Sequence, residues 1–209
     1  MTDMKYQLTI FLLMVFACVC NAHTHAEFEG IELKGEKKQF VYQLIRKGYD
    51  CVHESSTKST FEGNYRRLPC SVIVHSYSRS IDIVYKVEVL TKNYTQWEEL
   101  EAEFERLEDA ISNIYGSPSS GSKTIFPPFE EEGNQMQAIS MNCYNYFSTW
   151  NEDEDAKIRL GIKSNGCIEI RITDRQSESL GKKIQQNGIQ NAVENTKEAI
   201  GNFFNAIAQ

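Results

Sequence analysis

Residues 81–89 read Ile-Asp-Ile-Val-Tyr-Lys-Val-Glu-Val, which puts Ile81, Ile83, Tyr85, Val87 and Val89 on one side and Asp82, Lys86 and Glu88 on the other. A period of two is the signature of a half-buried antiparallel strand. Such a strand forces the rest of the chain to provide a cover for its apolar face. The same alternation returns in Ile158, Leu160 and Ile162 and again in Ile168, Ile170 and Ile172. The cover is legible too. Trp97, Leu100, Phe104, Leu107, Ile111 and Ile114 recur at steps of three and four, the stripe of an amphipathic helix. Thr95 with Glu98 three residues on has capping-box spacing for its start, and Tyr115-Gly116 marks its end. Phe40, Val41, Leu44 and Ile45 predict a shorter helix over 36–47, closed by Gly48.

These elements follow one order twice: helix, glycine stop, loop, alternating strands. Glu62-Gly63-Asn64 and Glu132-Gly133-Asn134 recur at matching places in that order. The expected fold class is α+β, with antiparallel sheet covered by helices, built as a diverged tandem repeat of a helix plus three to four strands. The expected division is a leader over 1–22, a first repeat over 23–94, a second over 95–174, and a C-terminal helical segment over 175–209. That last segment opens with the polar stretch 175–188 and ends in an amphipathic helix bearing Ile189, Val193, Thr196, Ile200, Phe203, Phe204 and Ile207. The stretch 134–150 is expected to be strand.

Lys5 precedes an apolar run from Leu8 to Val19, the length of a signal-peptide core and too short to span a bilayer. Cys20 and Ala22 suit signal peptidase, for a mature start at His23, with Ala26 a second cutting point. The alternative is a lipid anchor at Cys18 after Val15-Phe16-Ala17. The protein is therefore expected to be exported, periplasmic or secreted, and to meet a membrane only if Cys18 is acylated. A formal charge of -7 gains nothing from phosphate counterion release, so nucleic acid is not an expected partner.

Four cysteines remain in the mature chain: Cys51, Cys70, Cys143 and Cys167. An exported chain permits disulfides among them in any of three connectivities. Metal is not expected, because Cys51 with His53 and Cys70 with His75 form no zinc-ligand spacing. No cofactor is expected. Gly116 to Thr124 approaches a phosphate-binding loop, but Ser122 stands where the lysine belongs, and the segment follows a helix and runs into Pro127-Pro128. It reads as a connecting loop. Asn151, Asp153 and Asp155 begin a calcium-loop pattern that fails at Ala156 and Ile162. Cys51 and His53, two residues apart on one strand, would share a face, which makes a cysteine-based enzyme the main catalytic alternative. Tyr144 and Tyr146 share a face, with Trp150 and the acidic residues Asp153 and Asp155 close by. Aromatic strips of this kind are favoured at recognition surfaces.

The segment 27–50 resembles the opening of a large set of secreted or lipid-anchored proteins of gut-dwelling Gram-negative bacteria, through Phe28, Gly30, Ile31, Leu33, Gly35, Phe40, Leu44, Lys47, Gly48 and Tyr49. That group has no known active site, so the resemblance implies export and no functional residue. The tandem layout also resembles the beta-lactamase inhibitor protein fold, which implies a concave sheet presented to a protein target. The expected function is an exported, non-enzymatic binding module with a protein partner, contacted through Tyr144, Tyr146, Trp150, Asp153 and Asp155. An envelope structural or assembly factor that docks through the terminal helix is a further alternative.

Overall fold

The computed structural model describes residues 25–77, 81–151 and 155–207. The expected leader, with Cys18, lies outside them, and so does Asp153. The chain runs β1 (Glu27–Phe28), β2 (Ile31–Glu32), α1 (Lys37–Arg46), β3 (Asp50–Glu54), β4 (Lys58–Tyr65), β5 (Leu68–Ser76), β6 (Val84–Thr91), α2 (Trp97–Tyr115), β7 (Ser120–Ile125), α3 (Gln135–Ser140), β8 (Tyr144–Trp150), β9 (Ala156–Ile162), β10 (Ile168–Asp174) and α4 (Arg175–Ile207). No helix among the described residues is long and apolar enough to cross a membrane.

The fold is α+β. Strands β3 to β10 form one antiparallel sheet in the order β3-β4-β5-β6-β10-β9-β8-β7, and β1 with β2 forms a small second sheet. The first half is α1 followed by four antiparallel strands and the second is α2 followed by four, with the short α3 between β7 and β8; the halves join where β6 pairs with β10, Val89 opposite Ile170 and Val87 opposite Ile172. The apolar sides of both halves feed one core. Phe61, Val72, Val87, Val89, Leu160 and Ile170 meet Phe40 and Leu44 of α1 and Leu100, Phe104, Leu107 and Ile111 of α2. Both helices therefore lie on the same face of the sheet and leave the other without that cover.

The Glu-Gly-Asn triplets are not equivalent. Gly63 lies inside β4, where a Cβ would stand 2.3 Å from the ring of Tyr49, whereas Gly133 sits in the loop before α3 at φ 91°. Repetition lives in the element order, not in that identity. Other expectations also shift. Helix α2 begins at Trp97 with Gln96 as its cap residue, so Thr95 does not cap it. Residues 120–125 form the edge strand β7 instead of a loop, because their backbone pairs with β8 along its length. Residues 135–140 are helical, with Ala138 and Ile139 turned into the core, so strand begins only at Tyr144. Helix α4 takes in the polar stretch from Arg175 onward. Its first turn is held by Asp174, whose Oδ1 accepts from the Ser177 amide at 2.7 Å, the bond of an N-cap aspartate.

The N-terminal arm is part of the body. Glu29 and Gly30, at φ 54° and 70°, make the two-residue turn between β1 and β2. Phe28, Ile31 and Leu33 are buried, with the Phe28 ring 5.4 Å from that of Tyr65. Asp174 closes the arrangement. Fully buried, it also accepts from the Ala26 amide at 2.8 Å and lies 3.0 Å from His25 Nδ1.

Candidate binding surface

The aromatic residues expected to form a recognition strip do share a face, but it is the buried one. Tyr146 is 5% exposed, meets Trp97 and Phe104 edge-on at 5.3 and 4.9 Å, and donates to Glu101 Oε1 at 2.9 Å. Trp150 is fully buried, and its Nε1 donates to the Gly116 carbonyl at 3.0 Å, which fixes the end of α2. Tyr144 donates to the Ile162 carbonyl at 2.9 Å. Tyr146 packs under α2, Trp150 is enclosed and Tyr144 is half-buried against the same core, so the three do not make an open contact strip. Asp155 is likewise engaged: its carbonyl accepts from the Arg175 amide at 2.7 Å and its carboxylate from Gln176 Nε2 at 2.8 Å, anchoring the start of α4.

The expected shared face of Cys51 and His53 fails on register. Cys51 stands opposite Phe61 but His53 stands opposite Thr60, because a bulge between them inserts an extra residue. Directly opposed residues point to one side, so the bulge sends the thiol toward the Phe61 face and the imidazole toward the other. All four described thiols are free. The strands carrying Cys51 and Cys70 have β4 between them, and β9 lies between the strands that follow Cys143 and Cys167. Two strand spacings are roughly 9–10 Å, beyond the ~7 Å between Cα atoms that a disulfide spans. Burial pushes the Cys70 thiol up to about 11 and raises that of Cys167. Lys123, the late lysine of the phosphate-loop-like segment, projects from the edge strand onto α2, 2.8 Å from Glu108. Among the described residues, no three His, Cys, Asp or Glu side chains gather as metal ligands.

What remains is the sheet face opposite the helices, whose character follows from the register. On the three central strands the outward positions fall into rows. Lys86, Thr173 and Lys157 form one, and Glu88, Arg171 and Arg159 form the next. Arg171 and Arg159 are directly opposed on neighbouring strands, a like-charge pairing that costs stability. Near these rows, beside the first turns of α4, lies a cleft of about 390 Å³ whose described lining is Lys86, Lys157, Arg159, Arg171 and Arg175 with Glu178, Tyr85 and Thr173.

The carboxylates next to the cleft are spoken for. Glu88 lies 2.8 Å from Lys86, 3.1 Å from His75 Nε2 and 3.5 Å from Arg171 Nε. The His75 contact foremost, then Lys86, holds its carboxyl well below the usual range against the opposing effect of burial. Glu169 sits between Lys163 at 3.2 Å and Arg171 at 2.8 Å. The Arg159 guanidinium stands 4.3 Å over the Phe147 ring, a cation–π contact that props it outward. Tyr85 reaches this face through a second bulge: His75 pairs with Lys86 but Ser76 with Val84, so Tyr85 is the extra residue and turns away from the core, its ring 4.7 Å from that of Tyr77. The period-two reading had put it inside with Val87. A larger hollow of about 720 Å³ near the start of α1 mixes Glu36, Glu54 and Asp82 with Lys37 and Lys38. Its buried cation Lys37 already donates to the Ser55 carbonyl at 2.6 Å, so it offers less to a ligand.

The cleft residues are outward-facing lysines and arginines that the sequence displays openly, Lys157-x-Arg159 among them. What hid them was strand order, since β6 and β10 become neighbours across more than seventy residues. Chemically the arrangement offers N–H donors and positive charge, and among the described residues its lining includes no serine, cysteine or histidine. Comparison with family models, curated proteins and solved structures returns no match.

Proposed function

We propose that the protein is an exported, non-enzymatic binding module that receives an acidic segment of a partner protein on the uncovered face of its sheet. The observation that carries the reading is the direct opposition of Arg159 and Arg171 at the centre of that face. A like-charge pair costs folding free energy, and locally unfavourable choices of this kind concentrate at functional sites. Two guanidiniums side by side, flanked by Lys86 and Lys157, match the forked acceptors of carboxylates. The acidic chain as a whole opposes a polyphosphate strand, which favours a short carboxylate-bearing segment over nucleic acid. The leader-like run of residues 8–19 supports export.

The test is fluorescence anisotropy with a labelled Glu/Asp-rich peptide and a Lys-rich control, across a salt series. The acidic peptide is expected to bind and the control not to. The double variant Arg159→Ser, Lys157→Ser is expected to weaken binding by about tenfold or more, in line with loss of two charge-assisted contacts. Absence of acidic-peptide binding at low salt, or binding indifferent to the double variant, refutes the reading.

A further inference from the structure

On the helix-covered side of the sheet, a second cleft of about 250 Å³ lies between the N-terminal arm, the end of α2 and the β4–β5 turn. Its floor is apolar: Ile158 and Ile172, directly opposed on β9 and β10, with Ile170 beside them and Ile111 of α2 above. Phe28 and Tyr65, whose rings are 5.4 Å apart, and Tyr115 at the end of α2 form its walls. Ile114 lines it too. It is the last residue of the α2 stripe, and where Leu100, Phe104, Leu107 and Ile111 are buried it is 57% exposed, which puts it at the rim. An apolar group that entered the cleft would cover Ile114 and reach the isoleucines below it, the combination that favours a small-molecule site.

The charges at the cleft select what that group is attached to. Glu27, Glu29 and Arg66 line it as well. Arg66 Nε donates to the Tyr65 hydroxyl at 3.2 Å and its guanidinium lies 5.4 Å over the Tyr65 ring, so the cation is held against the wall. Glu29 and Arg66 are placed by backbone that their residue types disfavour. Glu29 has φ 54°, and Arg66 and Arg67, at φ 48° and 69°, take both positions of the turn between the paired residues Tyr65 and Leu68. Such turns ordinarily use Asn-Gly, and non-glycine residues held in the left-handed region cluster at ligand sites. Burial foremost, then Tyr65 and Glu27, raises the titration of the Tyr115 hydroxyl against the opposing effect of Arg66, which keeps it a neutral donor beside them. A ligand with a carboxylate alone would meet Arg66 but face two glutamates. One with an ammonium alone would meet the glutamates but face Arg66. A zwitterion suits both signs. The size fits an amino acid, since a cavity of ~150 Å³ lined by Leu, Ile and Phe already holds a benzene.

We infer that this cleft binds a free α-amino acid with a branched aliphatic or aromatic side chain, the side chain over the isoleucines, the carboxylate on Arg66 and the ammonium facing Glu27 and Glu29. The site is separate from the basic cleft and does not rest on the acidic-segment reading: on β10, Ile170 and Ile172 line this cleft while Arg171 and Thr173 line the other, on opposite faces of the sheet. The experiment is calorimetric titration of the protein with L-leucine and L-phenylalanine against isocaproate, isoamylamine and glycine, which lack the ammonium, the carboxylate and the side chain. Both amino acids are expected to bind, and each control about tenfold more weakly or worse, since each forgoes a charge-assisted contact or the buried side chain. Arg66→Asn, a residue that suits the left-handed turn, is expected to keep the parent's circular dichroism and to weaken leucine by about tenfold or more. Glu29→Asn repeats the readout should Arg66→Asn fail to fold. The double variant Arg159→Ser, Lys157→Ser is expected to bind leucine as the parent does. Absence of binding by either amino acid at millimolar concentration overturns the inference. Isocaproate or isoamylamine binding as tightly as leucine overturns it too, and makes the cleft a site for a singly charged apolar ligand. Leucine binding that survives both turn substitutions, or that falls with the double variant, places the ligand elsewhere and overturns it as well.

Discussion

Glu88 shows how a single residue on the uncovered face sets stability. Its carboxylate is 15% exposed and is shared among His75, Lys86 and Arg171, and the His75 contact foremost, then Lys86, holds its titration well below that of an unfolded glutamate. A group whose folded pKa is depressed contributes stability that is fully present above the usual carboxylate range and is lost as pH falls through it toward the depressed value. Glu88→Gln is therefore expected to cost about 1–3 kcal/mol at neutral pH. The gap between variant and parent should shrink steadily below about pH 4. Urea titrations at a series of pH values check this, and a difference independent of pH would show that the charge is not the stabilising feature. At this scale the sequence misled in one consistent way. Cys51 with His53 and Tyr85 with Val87 each look co-facial at a spacing of two, and in each pair a bulged extra residue reverses the parity.

Elements were more legible than their edges. Helices α1 and α2 and the alternating strands β6, β9 and β10 follow directly from periodicity, because one wet and one dry face impose a pattern that few other structures produce. The edge strand β7, Ser-Gly-Ser-Lys-Thr-Ile, has no such pattern: it is created by hydrogen bonding to β8, and at Gly121 a Cβ would stand 2.9 Å from the Phe147 carbonyl. The first half has its own close approach. Tyr49 is 3% exposed, packs over Gly63 and donates to the Asn64 carbonyl at 3.1 Å, tying the end of α1 to β4. Gly63→Ala would drive a methyl into that ring, so we expect a loss of about 1–3 kcal/mol, read as a lower urea midpoint with unchanged slope. A change below about 0.5 kcal/mol, the range of an indifferent surface position, would mean that the ring moves aside at little cost.

The whole molecule depends on a junction far apart in sequence. Asp174 receives the amides of Ala26 and Ser177, and so locks the N-terminal arm and α4 to the end of the central strand β10. If the leader is removed after Ala22, the arm reaches Asp174 intact. Removal after Ala26 deletes both His25 and the Ala26 amide and leaves a buried carboxylate short of donors. A chain beginning at Glu27 is expected to be less stable than one beginning at His23 by about 2–4 kcal/mol, roughly the cost of stranding a charged, buried acceptor. Urea unfolding of the two chains checks the number, and equal stability would show that the arm is dispensable. If the leader is cleaved, the mass of the remaining chain is expected to correspond to a start at His23.

By itself the sequence determined the α+β class, the alternation of sheet and covering helix, and their repetition, since these follow from burying apolar side chains at periods of two and 3.6, a local property. Only the tertiary structure decided which face of the sheet is open and what stands on it. The pairing of β6 with β10, the two bulges and the placement of both helices on one side turned Tyr146 and Trp150 into core, half-buried Tyr144 against it, and assembled Lys86, Lys157, Arg159 and Arg171 from three separate strands. Strand order and register are settled by contacts between distant segments, and no local periodicity records them.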